Sequence, residues 1–98
     1  MFSVLWRYRV APAQADAFAA LYGADGDWAR LFRGSAAYLG TTLYRDAGDP
    51  GTWLTIDRWT SRAAYEAFLE TRAGGYAALD ARGDALTVGE ERLGTLGD

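Results

Sequence analysis

The chain has 98 residues, half of them apolar and 23% charged, with a net charge of −3, which is the composition of one soluble globular domain spanning residues 1–98. It contains no cysteine, no histidine and no lysine, so every cation is an arginine. Those absences exclude disulfides, a thiol nucleophile, a Ser-His-Asp triad, histidine-ligated haem or zinc, a lysine Schiff base and a P-loop lysine, and the acidic balance argues against nucleic acid.

The N-terminal stretch MFSVLWRYRV lacks the basic start, apolar core and cleavage site of a secretion signal, and no apolar run is long enough to cross a bilayer. A cytoplasmic location is the expectation, with no membrane partner. The same stretch alternates, with Phe2, Val4, Trp6, Tyr8 and Val10 on one face and Ser3, Arg7 and Arg9 opposite, which predicts a strand with one buried face. Pro12 then opens a helix whose Ala15, Phe18, Ala19 and Tyr22 fall on one stripe, and Gly23 ends it. The segment DWARLFRG follows as a short amphipathic turn with Asp27 as its cap. Tyr38 to Arg45 and Thr52 to Thr60 are predicted strands, joined into a hairpin by the turn residues DAGDPG. Ser61 caps a helix bearing Tyr65, Phe68 and Leu69; the spacing continues past Gly74 and Gly75 to Tyr76 and Leu79 as a second helical piece. Ala85 to Leu93 is the expected last strand, with Leu86 and Val88 turned inward.

This order, β-α-β-β-α-β with one extra short helix, predicts an α+β sandwich of the ferredoxin-like kind, one antiparallel sheet with its helices on one face. The second and third strands are apolar on both sides: Trp53 and Trp59 oppose Leu54 and Ile56, and Tyr38 and Tyr44 oppose Leu39 and Leu43. Helices can cover only one of those sides, so the other is expected to be buried against a second copy, as a homodimer.

Asp57 draws attention because alternation puts it on the same face as Thr55 and Trp59, toward the helices. A carboxylate there is either paired with an arginine or raised in pKa, and in the second case it is a usable general base. Trp59 and Tyr65 are read first as packed-core residues, since indoles bury large areas and a buried phenol is satisfied by a backbone carbonyl. Trp6 and Tyr8 share the inward face of the first strand and are expected to line the same space. GDWARLFRG is either a lid hinged at its glycines or a cover for the sheet edge. Ser61 has no base to activate it, and the pair Asp46 and Asp49 is weak as a metal site.

The stretches WRYRVAPAQADAF (Trp6 to Phe18) and TIDRWTSRAAYEAF (Thr55 to Phe68), followed by a closing strand, resemble the antibiotic biosynthesis monooxygenase family over nearly the whole chain. The resemblance implies a dimeric α+β barrel, two ferredoxin-like protomers with their sheets facing each other. It also implies a cofactor-independent monooxygenase that oxidises a phenolic or polycyclic aromatic small molecule with O2 alone, needing neither flavin nor metal. In such enzymes a Trp ends the third strand and a Tyr follows six residues later; Trp59 and Tyr65 stand at those positions. The family's Asn four residues before the Trp is Thr55 here, a departure that weakens the enzyme reading, and Arg82 is a guess for its pocket arginine. Trp6 at its Asn position and the absence of histidine argue against the haem-degrading branch. The alternative is a non-catalytic small-molecule-binding protein on the same scaffold.

Overall fold

A computed structural model of the chain describes residues 1–71 and 74–97. Strand β1 (Phe2–Arg9) leads through a 3-10 turn at Pro12–Gln14 into helix α1 (Ala15–Tyr22) and the short helix α2 (Asp27–Phe32). Strands β2 (Tyr38–Arg45) and β3 (Thr52–Trp59) form the expected hairpin, then come α3 (Arg62–Glu70), α4 (Tyr76–Leu86) and β4 (Gly89–Gly97). All neighbouring strands are antiparallel and their order is β2-β3-β1-β4, the ferredoxin-like arrangement. None of the described helices is long and apolar enough to cross a membrane.

Local chemistry sets the element ends. The Ser61 hydroxyl accepts from the Ala64 N–H at 3.1 Å and caps α3. Gly75, at φ 94°, turns the chain into α4, so the expected Gly-Gly break is where the helical stripe is interrupted. Asp27 is not the cap of α2. Gly26 holds that position, where an added Cβ would meet the Leu21 carbonyl at 2.6 Å, and Asp27 instead receives Arg30 and Arg82. In the β2–β3 turn, Asp49 accepts from Arg9, the Thr52 hydroxyl and the Gly51 N–H, which is turn chemistry.

Two further expectations are corrected. The last strand does not begin at Ala85: Ala85 and Leu86 complete α4, where Leu86 continues the Leu79 side into the core, and Val88 is 78% exposed. Strand β4 instead runs from Gly89 along the whole of β1 as far as the pair Phe2 and Gly97. Alternation also fails in β2. A bulge at Leu39, followed by Gly40 at φ 136°, shifts the register, so Tyr38, Thr41, Leu43 and Arg45 pair with the helix-side residues of β3 and Tyr44 turns to the other side.

The helix-covered face carries two packed clusters. One gathers Tyr8, Val10, Phe18, Leu21, Tyr22, Trp53 and Leu79 under α1 and α4; the other gathers Phe2, Val4, Phe32, Trp59 and Phe68 under α2 and α3. Trp6, Trp28 and Leu31 touch both. The opposite face presents Leu5, Leu54 and Ile56 with Tyr44 and Leu96, the last two 49% and 60% exposed, and no helix lies over them.

Candidate functional site

Between the two clusters the sheet and helices enclose a cavity of about 90 Å³. Its floor is the middle of the sheet: Trp6 and Tyr8 from β1, Thr55 and Asp57 from β3, and Thr41 from β2. Trp28 and Phe32 of α2 form part of the wall, so the GDWARLFRG segment does stand over the cavity. The ion pair from Arg82 to Asp27, 2.7 Å, ties that segment to α4. Arg82 is spent on this surface contact and does not line the cavity, so the guess of a pocket arginine there is not supported.

Asp57 is part-buried and has no arginine partner among the described residues. Burial pushes its carboxyl up to about 6, against a hydrogen bond from Thr41 and the charge of Arg58, which both favour the anion. Arg58 lies on the opposite face and donates to Thr42 at 2.8 Å, so it acts through the sheet. The Thr41 hydroxyl donates to Asp57 Oδ1 at 2.6 Å and shares a 2.5 Å hydrogen bond with the Tyr38 hydroxyl. With Thr41 donating to Asp57, Tyr38 donates to Thr41, and the three form a chain ending on one carboxylate oxygen. Oδ2 takes no hydrogen bond from a described residue.

Tyr65 also reaches the cavity, and its hydroxyl makes no hydrogen bond to a described residue. Burial raises its pKa; Arg92 lowers it, and Asp57 adds to the rise. Trp59 is elsewhere. It is 0% exposed, lies outside the cavity wall and packs edge-on to Tyr65 at 5.3 Å, with Tyr38, Phe32 and Phe68 around it. Its indole N–H finds no partner among the described residues. Thr55 is 2% exposed and lies near the Tyr8 hydroxyl, whose pKa burial raises strongly and Thr55 lowers. Trp6 stacks beside Tyr8 at 6.4 Å. Of the six residues singled out in the sequence, five line the cavity and Trp59 stands behind it.

Several lining residues were not anticipated. Thr41 was hidden by the β2 bulge, for which the glycine at position 40 is the sequence signal. Glu90 pairs with Tyr8 and faces the cavity, and it was obscured by the misplaced start of β4. Tyr22 lines the cavity with its hydroxyl under α4, against Gly83, where a Cβ would sit 2.1 Å from that oxygen. Glu90 and Asp80 are exposed and mark where the cavity opens to solvent. Burial raises the Glu90 carboxyl, and the nearby Asp84 and Asp80 raise it further.

The fold has well-matched relatives among solved structures. The cofactor-independent oxygenase SnoaB from Streptomyces nogalater superposes with a TM-score of 0.74 at 21% identity, covering 99% of this chain and 91% of that one. A candidate antibiotic biosynthesis monooxygenase from Deinococcus radiodurans gives 0.78 at 15% identity, over 100% and 92%. A conserved protein from Methanosarcina mazei gives 0.72 at 11%, over 97% and 89%. At these identities the likeness is one of fold. No match was found among the curated proteins. The family model for antibiotic biosynthesis monooxygenases matches residues 1–74, from β1 through α3, including all the floor residues. The chain therefore belongs to the antibiotic biosynthesis monooxygenase family.

Proposed function

We propose that the protein is a cofactor-independent monooxygenase that oxidises a phenolic or polycyclic aromatic ring with O2. One observation carries this reading: a carboxyl with no cation partner, pushed up to about 6, opens with a free oxygen on an aromatic cavity beside an unengaged tyrosine. At neutral pH Asp57 is largely ionised and accepts the phenolic proton at Oδ2. The resulting electron-rich anion reduces O2 and forms a carbon–peroxide bond; loss of water leaves a carbonyl, so phenol plus O2 gives quinone plus water. Tyr65 donates a hydrogen bond to the ring oxygen and Thr55 supports the floor through Tyr8. Trp6 and Tyr8 position the ring, and Trp59 holds Tyr65 from behind. The enclosed volume is smaller than the ~150 Å³ that takes up one benzene ring. One ring end therefore enters and the rest of the molecule lies at the mouth.

The test is oxygen uptake by the purified protein with a panel of anthrones and hydroquinones. Quinone formation that drops about a hundredfold or more in Asp57→Asn supports the assignment. Uptake no faster than the uncatalysed background across the panel would favour the alternative, a protein that binds such molecules without turning them over. The protein also acts as a homodimer in this reading, because Leu54, Ile56, Tyr44 and Leu96 leave an uncovered apolar sheet face. Sedimentation at micromolar concentration giving a 10.7 kDa species would contradict the dimer.

A further inference from the structure

The described lining of the cavity is acidic toward its mouth. Asp57, Asp80 and Glu90 all line it, Asp84 adds its field to Glu90, and no arginine is among its described lining residues. Two arginines lie close but outside the wall. Arg58 is engaged with Thr42 on the far face, and Arg92, opposite Trp6 on β4, acts on Tyr65 without reaching the cavity. Proton transfer to Asp57 only moves its negative charge onto the substrate; the part of the substrate left at the mouth lies beside Asp80 and Glu90, where a cation is favoured over a second anion.

We propose that the cavity selects an aromatic substrate carrying its own positive charge, a phenol with an ammonium group a few bonds from the ring. One end of the ring enters beside Trp6 and Trp28, and the ammonium remains at the mouth beside Asp80 and Glu90. This rests on the oxygenase reading and names the class of substrate it uses. Two features support the assignment independently of the acids. The enclosed volume is too small for a whole substituted ring, so part of any ligand lies at the mouth. The walls include the aromatic side chains of Trp28, Tyr22 and Tyr76, a residue type that attracts a cation as well as a ring. A metal ion is the poorer occupant, because no three acids among the described residues come together in a metal-binding group.

The experiment uses three phenols of one shape and different charge: tyramine, 4-ethylphenol and 4-hydroxyphenylacetate. Their affinities are measured by calorimetry on the intact protein at low and high salt, without turnover. Tyramine is expected to bind about tenfold or more tighter than the carboxylate, with 4-ethylphenol between them. The preference should shrink to about threefold or less in the double variant Asp80→Asn/Glu90→Gln, and at about 0.5 M salt. Equal or tighter binding of the carboxylate overturns the inference. So does failure of tyramine to bind at millimolar concentration, or a preference unmoved by the double variant. Oxygen uptake with neutral hydroquinones but no charge preference overturns this inference alone; charge preference without uptake by any phenol overturns the oxygenase reading alone.

Discussion

Trp59 and Asp57 are two residues apart on one strand and point to the same side of the sheet, yet they meet opposite surroundings. Around Trp59, Phe2, Phe32, Tyr38, Tyr65 and Phe68 close completely and leave the indole 0% exposed. Around Asp57, the rings stop short and a cavity remains. The difference comes from residue size and shape at one level of the sheet. Thr41 and Thr55 flank Asp57 on the neighbouring floor positions, and neither fills the space beneath α2 and α4 that the aromatic residues fill at each end. A packed core and a binding cavity are thus made from one continuous layer, by replacing rings with short polar side chains over one turn of pleat.

The contrast is sharpest if each residue is removed. Trp59→Ala empties a fully buried site that every neighbour is shaped around, and is expected to cost about 3–5 kcal/mol of stability. A urea or guanidinium midpoint measures it, and Trp59→Phe should lose less. A loss under about 1 kcal/mol would mean that the cluster is not the sealed core described. Any fall in activity of Trp59→Phe should follow the looseness of Tyr65 rather than a missing catalytic group.

Asp57→Asn should behave in the opposite way, lowering turnover and raising stability. The sign follows from the direction of its shift. The carboxyl goes from 3.8 unfolded to about 6 folded, so between those values the native state binds the extra proton and stability falls as pH rises. At about 1.4 kcal/mol per unit the decline attributable to this residue is about 3 kcal/mol, complete above pH 6 and absent below pH 3.8. Denaturation curves of wild type and Asp57→Asn across pH 3.5 to 7.5 isolate it, because the other carboxylates are common to both. Parallel pH dependences for the two proteins would mean that the carboxyl is not held up.

How far the sequence reached follows the same division. Period-2 and period-3.6 patterns placed the first three strands and the helices, because β1 alternates apart from Leu5 and α1 and α3 carry apolar stripes. They also put Asp57 on the helix side. They failed at Leu39 and at the start of β4, where one added residue, a glycine or a run of charges changes which face a side chain takes. Those are the positions that decide whether Thr41 reaches Asp57 and whether Glu90 reaches the cavity. The cavity itself was not legible, since it depends on the volume left between side chains and not on their pattern. Trp59 shows the converse: its place in a motif pointed to chemistry, and its surroundings are those of a core residue.

The smallest change that separates the two regions concerns one hydrogen bond. Thr41 donates to Asp57 Oδ1, and that bond stabilises the carboxylate against its burial. Thr41→Val keeps the shape and removes the donor, so the Asp57 carboxyl should rise by about one unit, equivalent to about 1.4 kcal/mol and within the range of a hydrogen bond to a charged group. The charged and titratable groups near it, Arg58 behind the sheet and Tyr8, Tyr38 and Tyr65 on its own side, stay in place. The acid limb of the oxygen-uptake profile would then move about one unit toward neutral pH, with the plateau at high pH little changed. Thr41→Ser should restore the wild-type limb, and Tyr38→Phe, one link further out, should move it by less. Carboxyl carbon NMR titration of Asp57 reads the same shift without any substrate. An unchanged titration in Thr41→Val would mean that burial alone sets the base, and that the Tyr38–Thr41 chain only ties β2 to β3.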